Sequence, residues 1–429
     1  MEESHKTRKS AWFNGQPKAL ALYSSIVAFL AYASIFAYRK PFTVGSYEDI
    51  HLGNFSYQTA LIISQVVGYM LSKFYGIRFI AALRRRGRWK TVAVLIGISW
   101  FCLLLFAIAP PWFGIVCFLV NGFMLGFLWG IIFSYVEGRR STDFTGSVMA
   151  VSFIFAGGFT RSVAKWLMMK FGITEMWMPF FTGAIFALPL AIFLYLLEKI
   201  PAPDEADEAE RTKRIPMAQQ DRRVMMQSFG TGVFLVTLTY VFLTIMRDIR
   251  DNYMANMWRE LGYGSNYGIF TQTETITSVI VLLMMASLVL IRKNIIAFRV
   301  VHLAIFIGFL MAGLSSFFFV MGQMDGALWM QLTGLGLYMA YIPFNSIFFE
   351  RMIASFRIAA NVGFLIYITD AFGYLGSVIV MIVKESIRME INWSSFFAWG
   401  VIGFSIIGLL GIFSSLQWFN KKYKSMKLP

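Results

Sequence analysis

This sequence has little charge and few of the residues that build catalytic or metal sites. Only 14% of its 429 residues are charged and 58% are hydrophobic, whereas a soluble domain has about 25% charged residues. There are two cysteines and three histidines. Cys102 and Cys117 lie in apolar stretches without metal-ligand spacing, so we expect buried free thiols and no metal site.

Catalytic signatures are missing as well. The sequence contains no GxxxxGK[ST] phosphate loop, no His-Glu zinc signature and no nucleophile elbow. We therefore expect neither an enzyme nor a bound cofactor. Any transport by this chain would have to be driven by solute gradients rather than by ATP.

Long apolar runs are what the sequence has in abundance. Each is about 20 residues or longer, the length at which a helix crosses the hydrocarbon core of a bilayer, and the runs lack the alternation of a membrane-spanning strand. We predict an all-α membrane protein whose twelve transmembrane helices form two pseudo-symmetric six-helix bundles. The predicted spans are 20–44, 56–80, 91–109, 112–136, 145–169, 176–198, 226–250, 266–291, 297–320, 326–350, 359–384 and 393–418.

One long polar stretch divides the spans into two groups of six. It is rich in proline and in charges of both signs, which is typical of a solvated linker. No small-residue cleavage site follows the first apolar run, so we expect a retained span rather than a signal peptide. The predicted divisions are a cytoplasmic N-terminal tail (1–19), a first bundle (20–198), a cytoplasmic linker (199–225), a second bundle (226–418) and a cytoplasmic C-terminal tail (419–429).

Basic residues predict the orientation in the membrane. The formal net charge is +15, and most lysines and arginines fall in the two tails, the linker and the loops on the same side. Since such residues collect on the cytoplasmic side, we expect both termini to be cytoplasmic in a plasma (inner) membrane. Contact with anionic lipid headgroups accounts for the charge, so nucleic acid is not an expected partner.

The two halves of the chain are similar to each other in sequence. The segment FSYVEGRR can be laid over SIFFERMI, which places Glu137 over Glu350 before a basic turn in each half. Arg39 near the end of the first span is likewise opposite Arg247 in the seventh. Parallel repeats of this kind place the substrate between the halves, near the middle of the bilayer.

The twelve spans, the six-plus-six division and the basic loop after the second span resemble the major facilitator superfamily. That loop, GIRFIAALRRRGRWK, keeps Arg85, Gly87, Arg88 and Lys90 of the superfamily motif but lacks its Asp. The gate-locking role of that Asp is therefore not carried over. The resemblance implies a carrier with the substrate site between its two bundles.

The segment YRKPF, residues 38–42, resembles the Arg-Lys-x-Phe signature of the organophosphate:phosphate antiporters within that superfamily. The resemblance implies that Arg39 of the first helix and Arg247 of the seventh jointly hold a substrate phosphate. That family has a histidine on its fifth helix, whereas the corresponding region here reads FIFAGGFTRSVAK. Arg161, in this region, is a candidate for a different cation.

Charged residues inside spans cost about 2.5 to 3.5 kcal/mol each on insertion scales and therefore mark candidate sites. Arginine keeps its charge at any working pH and binds carboxylate or phosphate through two parallel hydrogen bonds. The candidates are Tyr38, Arg39, Lys40, Arg161, Arg247 and Glu274 for substrate binding, Asp251 and Asp370 for coupling or charge pairing, and Glu137, Arg139, Glu350 and Arg351 for the gates.

Other roles remain open for several of these residues. Arg39 could snorkel to the membrane surface, and Arg247 could belong to a surface ion network with Arg250 and Asp251 at the end of its helix. Asp370 either pairs with a cation such as an arginine or takes up a proton.

Together these features predict a secondary transporter of a small organic anion, such as a phosphorylated or carboxylated metabolite. We expect it to work by alternating access and by antiport, as a monomer in the lipid bilayer. One alternative is a proton-coupled carrier of a non-anionic solute, which would require a protonatable Asp370. Another is a transporter-like membrane sensor that binds a solute without translocating it.

Overall fold

The computed structural model describes residues 17–52, 55–82, 87–139, 141–203, 207, 219–357, 362–386 and 392–426. Most of these residues are helical, and a helix satisfies its backbone hydrogen bonds within one segment, as hydrocarbon requires. A short hairpin is also present, in which β1 (His51–Leu52) pairs antiparallel with β2 (Phe55–Ser56).

The helices form two groups, one on each side of the predicted linker. The first group comprises α1 (Pro17–Ile35), α2 (Tyr57–Ala82), α3 (Arg88–Ile108), α4 (Pro111–Gly126), α5 (Leu128–Val136), α6 (Thr142–Phe171) and α7 (Met178–Glu198). The second comprises α8 (Gln219–Glu260), α9 (Ile269–Val289), α10 (Asn294–Val320), α11 (Gly326–Pro343), α12 (Phe349–Phe356), α13 (Val362–Ser386) and α14 (Trp393–Ser425).

Each group packs mainly on itself and forms a bundle. The two bundles meet where α6 lies against α9 and where α2 lies against α13. We call the side of the molecule on which α7 ends and α8 begins the linker side, and the opposite side the far side. The start of α8 at Gln219 lies within the segment 199–225 that was predicted to be linker.

Ten of the described helical segments are long and apolar enough to cross a membrane. The helices α2 and α13, of 26 and 25 residues, occupy the positions of the second and eleventh predicted spans. The prediction of an all-helical membrane protein is therefore confirmed.

The first helix of each bundle is distorted near its far-side end. The α-helix α1 ends at Ile35 and continues as two 3₁₀ turns, Phe36–Tyr38 and Pro41–Val44, so the α-helical part of the predicted span 20–44 ends earlier than the span. Pro41 has no backbone N–H to donate within a continuing helix and is tolerated in a first turn. In the second bundle, α8 bends at Tyr253, which has non-helical dihedral angles (φ −110°, ψ 15°).

The fourth span of each bundle is also interrupted. In the first bundle α4 and α5 are separate helices that meet at Phe127. In the second bundle α11 ends at Pro343 and is joined to α12 by a π-helical turn, Phe344–Phe348. Such turns widen a helix locally and change the direction of the side chains that follow.

The helices α2 and α4 cross in close backbone contact. A Cβ atom added at Gly122 would collide with the carbonyl oxygen of Gln65, and one added at Gly68 would collide with that of Leu119. Small residues at a crossing allow two helices to approach closely where hydrocarbon supplies no hydrophobic drive.

We expect Gly122→Ala to destabilise the protein by about 1 to 3 kcal/mol, because the added methyl group has to push two backbones apart. The measurement is the thermal unfolding temperature of the purified protein in detergent. Gly97→Ala is the matched control, because a Cβ at Gly97 on α3 meets nothing within 4 Å. Equal unfolding temperatures for the two variants would contradict the close crossing.

Candidate functional site

An ion network joins the two bundles near the far side. Asp251 of α8 lies with Oδ2 2.5 Å from Lys40 Nζ and with Oδ1 2.7 Å from Arg161 Nη2. Lys40 Nζ also donates a hydrogen bond to Asn252 Oδ1 at 2.8 Å, and Arg161 Nε donates to Thr43 Oγ1 at 3.0 Å. One carboxylate of the second bundle is thus shared by two cations of the first.

The network is buried. Lys40, Arg161 and Asp251 are 4%, 0% and 6% exposed, so each charge depends on its partners for the stabilisation that water would otherwise supply. A second buried ion pair lies within the second bundle, where Arg250 Nη2 is 2.8 Å from Glu274 Oε1. The alternative that Arg250 and Asp251 form a surface ion network is therefore wrong, because both side chains are buried.

Hydrogen bonds continue from this network toward the far side. Gln58 of α2 and Asn256 of α8 exchange two hydrogen bonds, of 3.0 and 3.1 Å. The hydroxyl of Tyr253 donates to Thr59 Oγ1 at 2.9 Å, and Thr59 in turn donates to Glu385 Oε1 at 2.9 Å. The two bundles are therefore bonded to each other on the far side, which is closed in this structure.

Arg39 is held differently from Lys40, although the two are neighbours in the chain. Its Cζ atom lies 4.1 Å from the ring centroid of Tyr69 and 5.7 Å from that of Phe36. Among the described residues no carboxylate lies within 4 Å of its guanidinium, and its buried Nε atom has no hydrogen-bond partner. The Arg39 side chain packs against aromatic rings inside the protein. The alternative that it snorkels to the membrane surface is therefore wrong.

Arg247 has a similar aromatic environment in the second bundle. Its Cζ atom lies 4.3 Å from the ring centroid of Tyr341, and its Nη2 atom is 2.6 Å from Oδ1 of the adjacent Asp248. This distance is short enough for an ion pair, but neither Nε nor Nη2 of Arg247 is oriented to make a hydrogen bond. Because a hydrogen bond weakens steeply with angle, the guanidinium is paired in charge with Asp248 but keeps donors that make no hydrogen bond.

Tyrosines connect the two arginines. The rings of Tyr69 of the first bundle and Tyr374 of the second are 5.6 Å apart in an edge-to-face arrangement. Tyr374 lies in the neighbourhood of both Arg39 and Arg247. We call Arg39, Arg247, Tyr69, Tyr341 and Tyr374 the arginine–tyrosine cluster; it lies where the two bundles meet.

Asp370 lies beside this cluster on α13. Its Oδ1 atom accepts a hydrogen bond from the hydroxyl of Tyr240, which also interacts with Asn345. Among the described residues no arginine is within 4 Å of Asp370, so an arginine bridge to this carboxylate, one of the two roles expected for it, is not formed. Arg247 instead lies over Tyr341 and beside Asp248.

The remaining predicted substrate residues have other partners in this structure. Tyr38 is 1% exposed and packs against Trp100 within the first bundle, with ring centroids 6.2 Å apart. Lys40 and Arg161 are bound to Asp251, and Glu274 is bound to Arg250. Arg161 also keeps one unpaired donor, Nη1, but of the six predicted substrate residues Arg39 and Arg247 are the two whose cationic groups lie over aromatic rings.

The predicted gate residues lie at the linker side. Arg139 donates a hydrogen bond to the carbonyl oxygen of Pro201, and Arg351 donates to Asn294 Oδ1 at 2.7 Å. Glu137 follows the last residue of α5, and Glu350 lies in the first turn of α12. Arg139 therefore bonds to the start of the predicted linker, and Arg351 bonds within the second bundle.

Sequence reasoning missed the tyrosines of the cluster. Tyrosine is common in membrane proteins, and nothing in the sequence distinguishes Tyr69 or Tyr374 from residues at the membrane interface. One signal was present: Tyr338 and Tyr341 are three apart on α11 and so share a helix face, and Arg247 interacts electrostatically with both.

One protein-family profile matches most of the chain. The profile described as a family of unknown function (DUF5690) matches residues 41–422. None of the curated proteins compared matches the chain in sequence.

Several solved structures resemble the chain in fold. A D-xylose–proton symporter is 15% identical with a TM-score of 0.61, over 92% of this chain and 96% of that one. A bacterial homolog of the human lysosomal transporter Spinster, in an inward-facing and unoccupied conformation, is 12% identical with a TM-score of 0.60, over 94% and 98%. The nucleoside transporter NupG is 15% identical with a TM-score of 0.55, over 93% and 99%. The predicted fold, that of the major facilitator superfamily, is confirmed.

We expect Asp251→Asn to weaken the far-side closure strongly. The substitution leaves Lys40 and Arg161 buried without their counter-charge, and breaking a buried ion pair from one side costs about 3 to 5 kcal/mol. The unfolding temperature should fall, and a cysteine placed at Ala255, which lines the interface between the bundles, should react faster with a maleimide. The cysteine is introduced after Cys102 and Cys117 have been replaced by alanine.

The matched control is Glu48→Gln. Glu48 also joins the bundles on the far side, through Arg259 Nη1 at 2.9 Å, but its side chain is 77% exposed, and such pairs contribute about 0 to 1 kcal/mol. If both variants changed the reactivity of the cysteine equally, the buried network would not be what keeps this side closed.

Proposed function

We propose that this chain, which belongs to a family of unknown function (DUF5690), is a secondary transporter of a small organic anion that works by alternating access. The observation that carries the proposal is the arginine–tyrosine cluster. It contributes one guanidinium from each bundle, and both have buried donor atoms without hydrogen-bond partners.

The balance of buried charge supports an anionic cargo. The ion network, the Arg250–Glu274 pair and the arginine–tyrosine cluster, with the buried carboxylates Asp248 and Asp370 beside it, contain five cations and four carboxylates: Arg39, Lys40, Arg161, Arg247 and Arg250 against Asp248, Asp251, Glu274 and Asp370. Uncompensated charge in a low-dielectric interior is costly. A bound anion, such as a phosphate monoester or a carboxylate, would supply negative charge against this excess.

The chemistry of the cluster fits such a ligand. Each guanidinium offers a planar fork that matches the two oxygens of a carboxylate or phosphate. The tyrosines present hydroxyl donors together with apolar ring faces, so they can contact both the charged group and the carbon skeleton of a metabolite. The antiporters that the YRKPF segment resembles have a histidine on their fifth helix. The corresponding helix here, α6, lacks that histidine, which leaves the arginines as the principal cations for a phosphate ester.

The same charges favour exchange over one-way transport. Enclosing the cluster without an anion would leave Arg39 without a counter-charge and Arg247 with Asp248 alone, so the empty carrier should change conformation slowly. A bound anion removes that penalty. Antiport therefore follows from the arginines, as long as no carboxylate of the protein replaces the substrate.

We expect the unfolding temperature of the purified protein to rise with its substrate anion, in a screen of phosphate, phosphate esters and carboxylates. Arg39→Gln and Arg247→Gln should each weaken binding by about 10-fold to 100-fold, because a hydrogen bond to a charged group contributes about 1.5 to 3 kcal/mol. Arg39→Lys and Arg247→Lys should recover only part of this, since an ammonium cannot bind in a fork.

Arg299→Gln is the matched control. Arg299 is an exposed arginine on α10 whose Nε atom bonds to Asn420, so its loss removes one positive charge far from the cluster. Anion-dependent stabilisation that survived both Arg39→Gln and Arg247→Gln would place the binding site elsewhere.

Asp370 favours a second candidate function, a proton-coupled carrier of a non-anionic solute. Its buried carboxyl group bonds to the Tyr240 hydroxyl, and among the described residues it has no cation within 4 Å. A carboxyl group in this setting is suited to exchanging a proton during transport. A sensor that binds without translocating is separated from both candidates by any substrate uptake into proteoliposomes.

We expect Asp370→Asn to distinguish the two transport candidates. Asparagine can still accept the hydrogen bond from Tyr240 but cannot take up a proton. If the protein is an anion exchanger, exchange of labelled anion in proteoliposomes should continue in the variant. If uptake in the wild type is instead driven by a pH gradient and that uptake is lost in Asp370→Asn, the proton-coupled candidate is correct.

A further inference from the structure

A hollow on the far side lies between the two bundles and away from the arginine–tyrosine cluster. Its lining includes Val44 and Lys165 from the first bundle and Ala255, Trp258 and Arg259 from the second. The space is narrow, with room for roughly one water-sized particle. Ala255 is four residues after Asp251, so the hollow lies about one helical turn beyond the ion network.

Two positive groups from opposite bundles face each other across this hollow. Lys165 of α6 and Arg259 of α8 interact electrostatically, and like charges brought together need a compensating charge. Lys165 is half-buried, and within the described residues its ammonium group makes neither an ion pair nor a hydrogen bond.

The nearby carboxylates are engaged by other groups. Glu48 forms an exposed ion pair with Arg259 at the rim. Glu175 interacts electrostatically with Lys165, but its two oxygens accept hydrogen bonds from the backbone N–H groups of Ser46 and Tyr47, at 2.9 and 2.6 Å. The charges near the hollow therefore balance in number, but neither of these two carboxylates makes an ion pair or a hydrogen bond with the ammonium group of Lys165.

Trp258 supplies an independent observation. The residue is 1% exposed and lines the hollow, and its indole nitrogen is buried without a hydrogen-bond partner. A buried donor that is left unpaired costs free energy, so such groups normally have a partner, which can be a bound ion. Indole N–H is a donor only, so the missing partner has to be an acceptor.

We propose that this hollow is a second anion site, which holds one small monovalent anion between Lys165 of the first bundle and Trp258 and Arg259 of the second. The anion is a small monatomic one, such as a halide, because the hollow has room for roughly one water-sized particle. Because it bridges the two bundles beside the ion network, it favours the closed far side. Arg39 and Arg247 do not line the hollow, so the site does not depend on the identity of the transported substrate.

The probe is bromide, supplied to the purified full-length protein in detergent, with sodium gluconate at equal ionic strength as the reference. Bromide should raise the unfolding temperature saturably, by about 2 °C or more at high occupancy. Lys165→Gln and Trp258→Phe should each reduce that rise to less than half. Lys170→Gln is the matched control, since Lys170 is an exposed lysine near the end of the same helix, and it should keep the full rise.

A crystal grown with bromide should show an anomalous difference peak within hydrogen-bonding distance of Lys165 Nζ. The rise should also persist in Arg39→Gln and Arg247→Gln, which separates this site from the central one. The proposal is overturned if the wild type does not respond to bromide, if Lys165→Gln and Lys170→Gln respond equally, or if the effect requires added phosphatidylglycerol instead of bromide, which would indicate a lipid headgroup.

Discussion

The structure depends on one carboxylate that two cations share across the bundle interface. Asp251 binds both Lys40 and Arg161 in a place from which water is nearly absent. Because neither cation is stable there alone, the network ties the second bundle to the first wherever it forms. The network contains one more positive charge than negative charge, and the neighbouring arginine–tyrosine cluster contains two further cations.

Closure of the far side and binding of an anion therefore involve two neighbouring residues, Lys40 and Arg39, which have different partners. Lys40 points into the ion network, while Arg39, one position earlier, lies against Tyr69 with a donor unused. A rocking motion that opened the far side would have to break the Asp251 contacts. The same motion would move Arg39 away from Arg247, which belongs to the other bundle. A ligand held by both arginines is therefore sensitive to which side is open.

Much of the fold and part of the site were predictable from local features. Apolar runs of membrane-spanning length predicted the helices, because the bilayer imposes a length and forbids unpaired backbone groups. Pairing partners were not predictable: Asp251 and Lys40 are more than two hundred residues apart, and the helix periodicity pointed to Arg247 as the nearest cation on the same face.

The sequence by itself determined that the chain is helical, crosses a membrane and has two similar halves, because composition and run length act locally through solvation. It also determined which residues carry permanent charge inside the spans. Only the tertiary structure decided which of those charges neutralise one another, since that depends on how helices of different halves are packed side by side. For that reason Lys40 is bound to Asp251 of the other bundle and Glu274 to Arg250 of its own, whereas Arg39 lies over aromatic rings and Arg247 lies over Tyr341 beside Asp248.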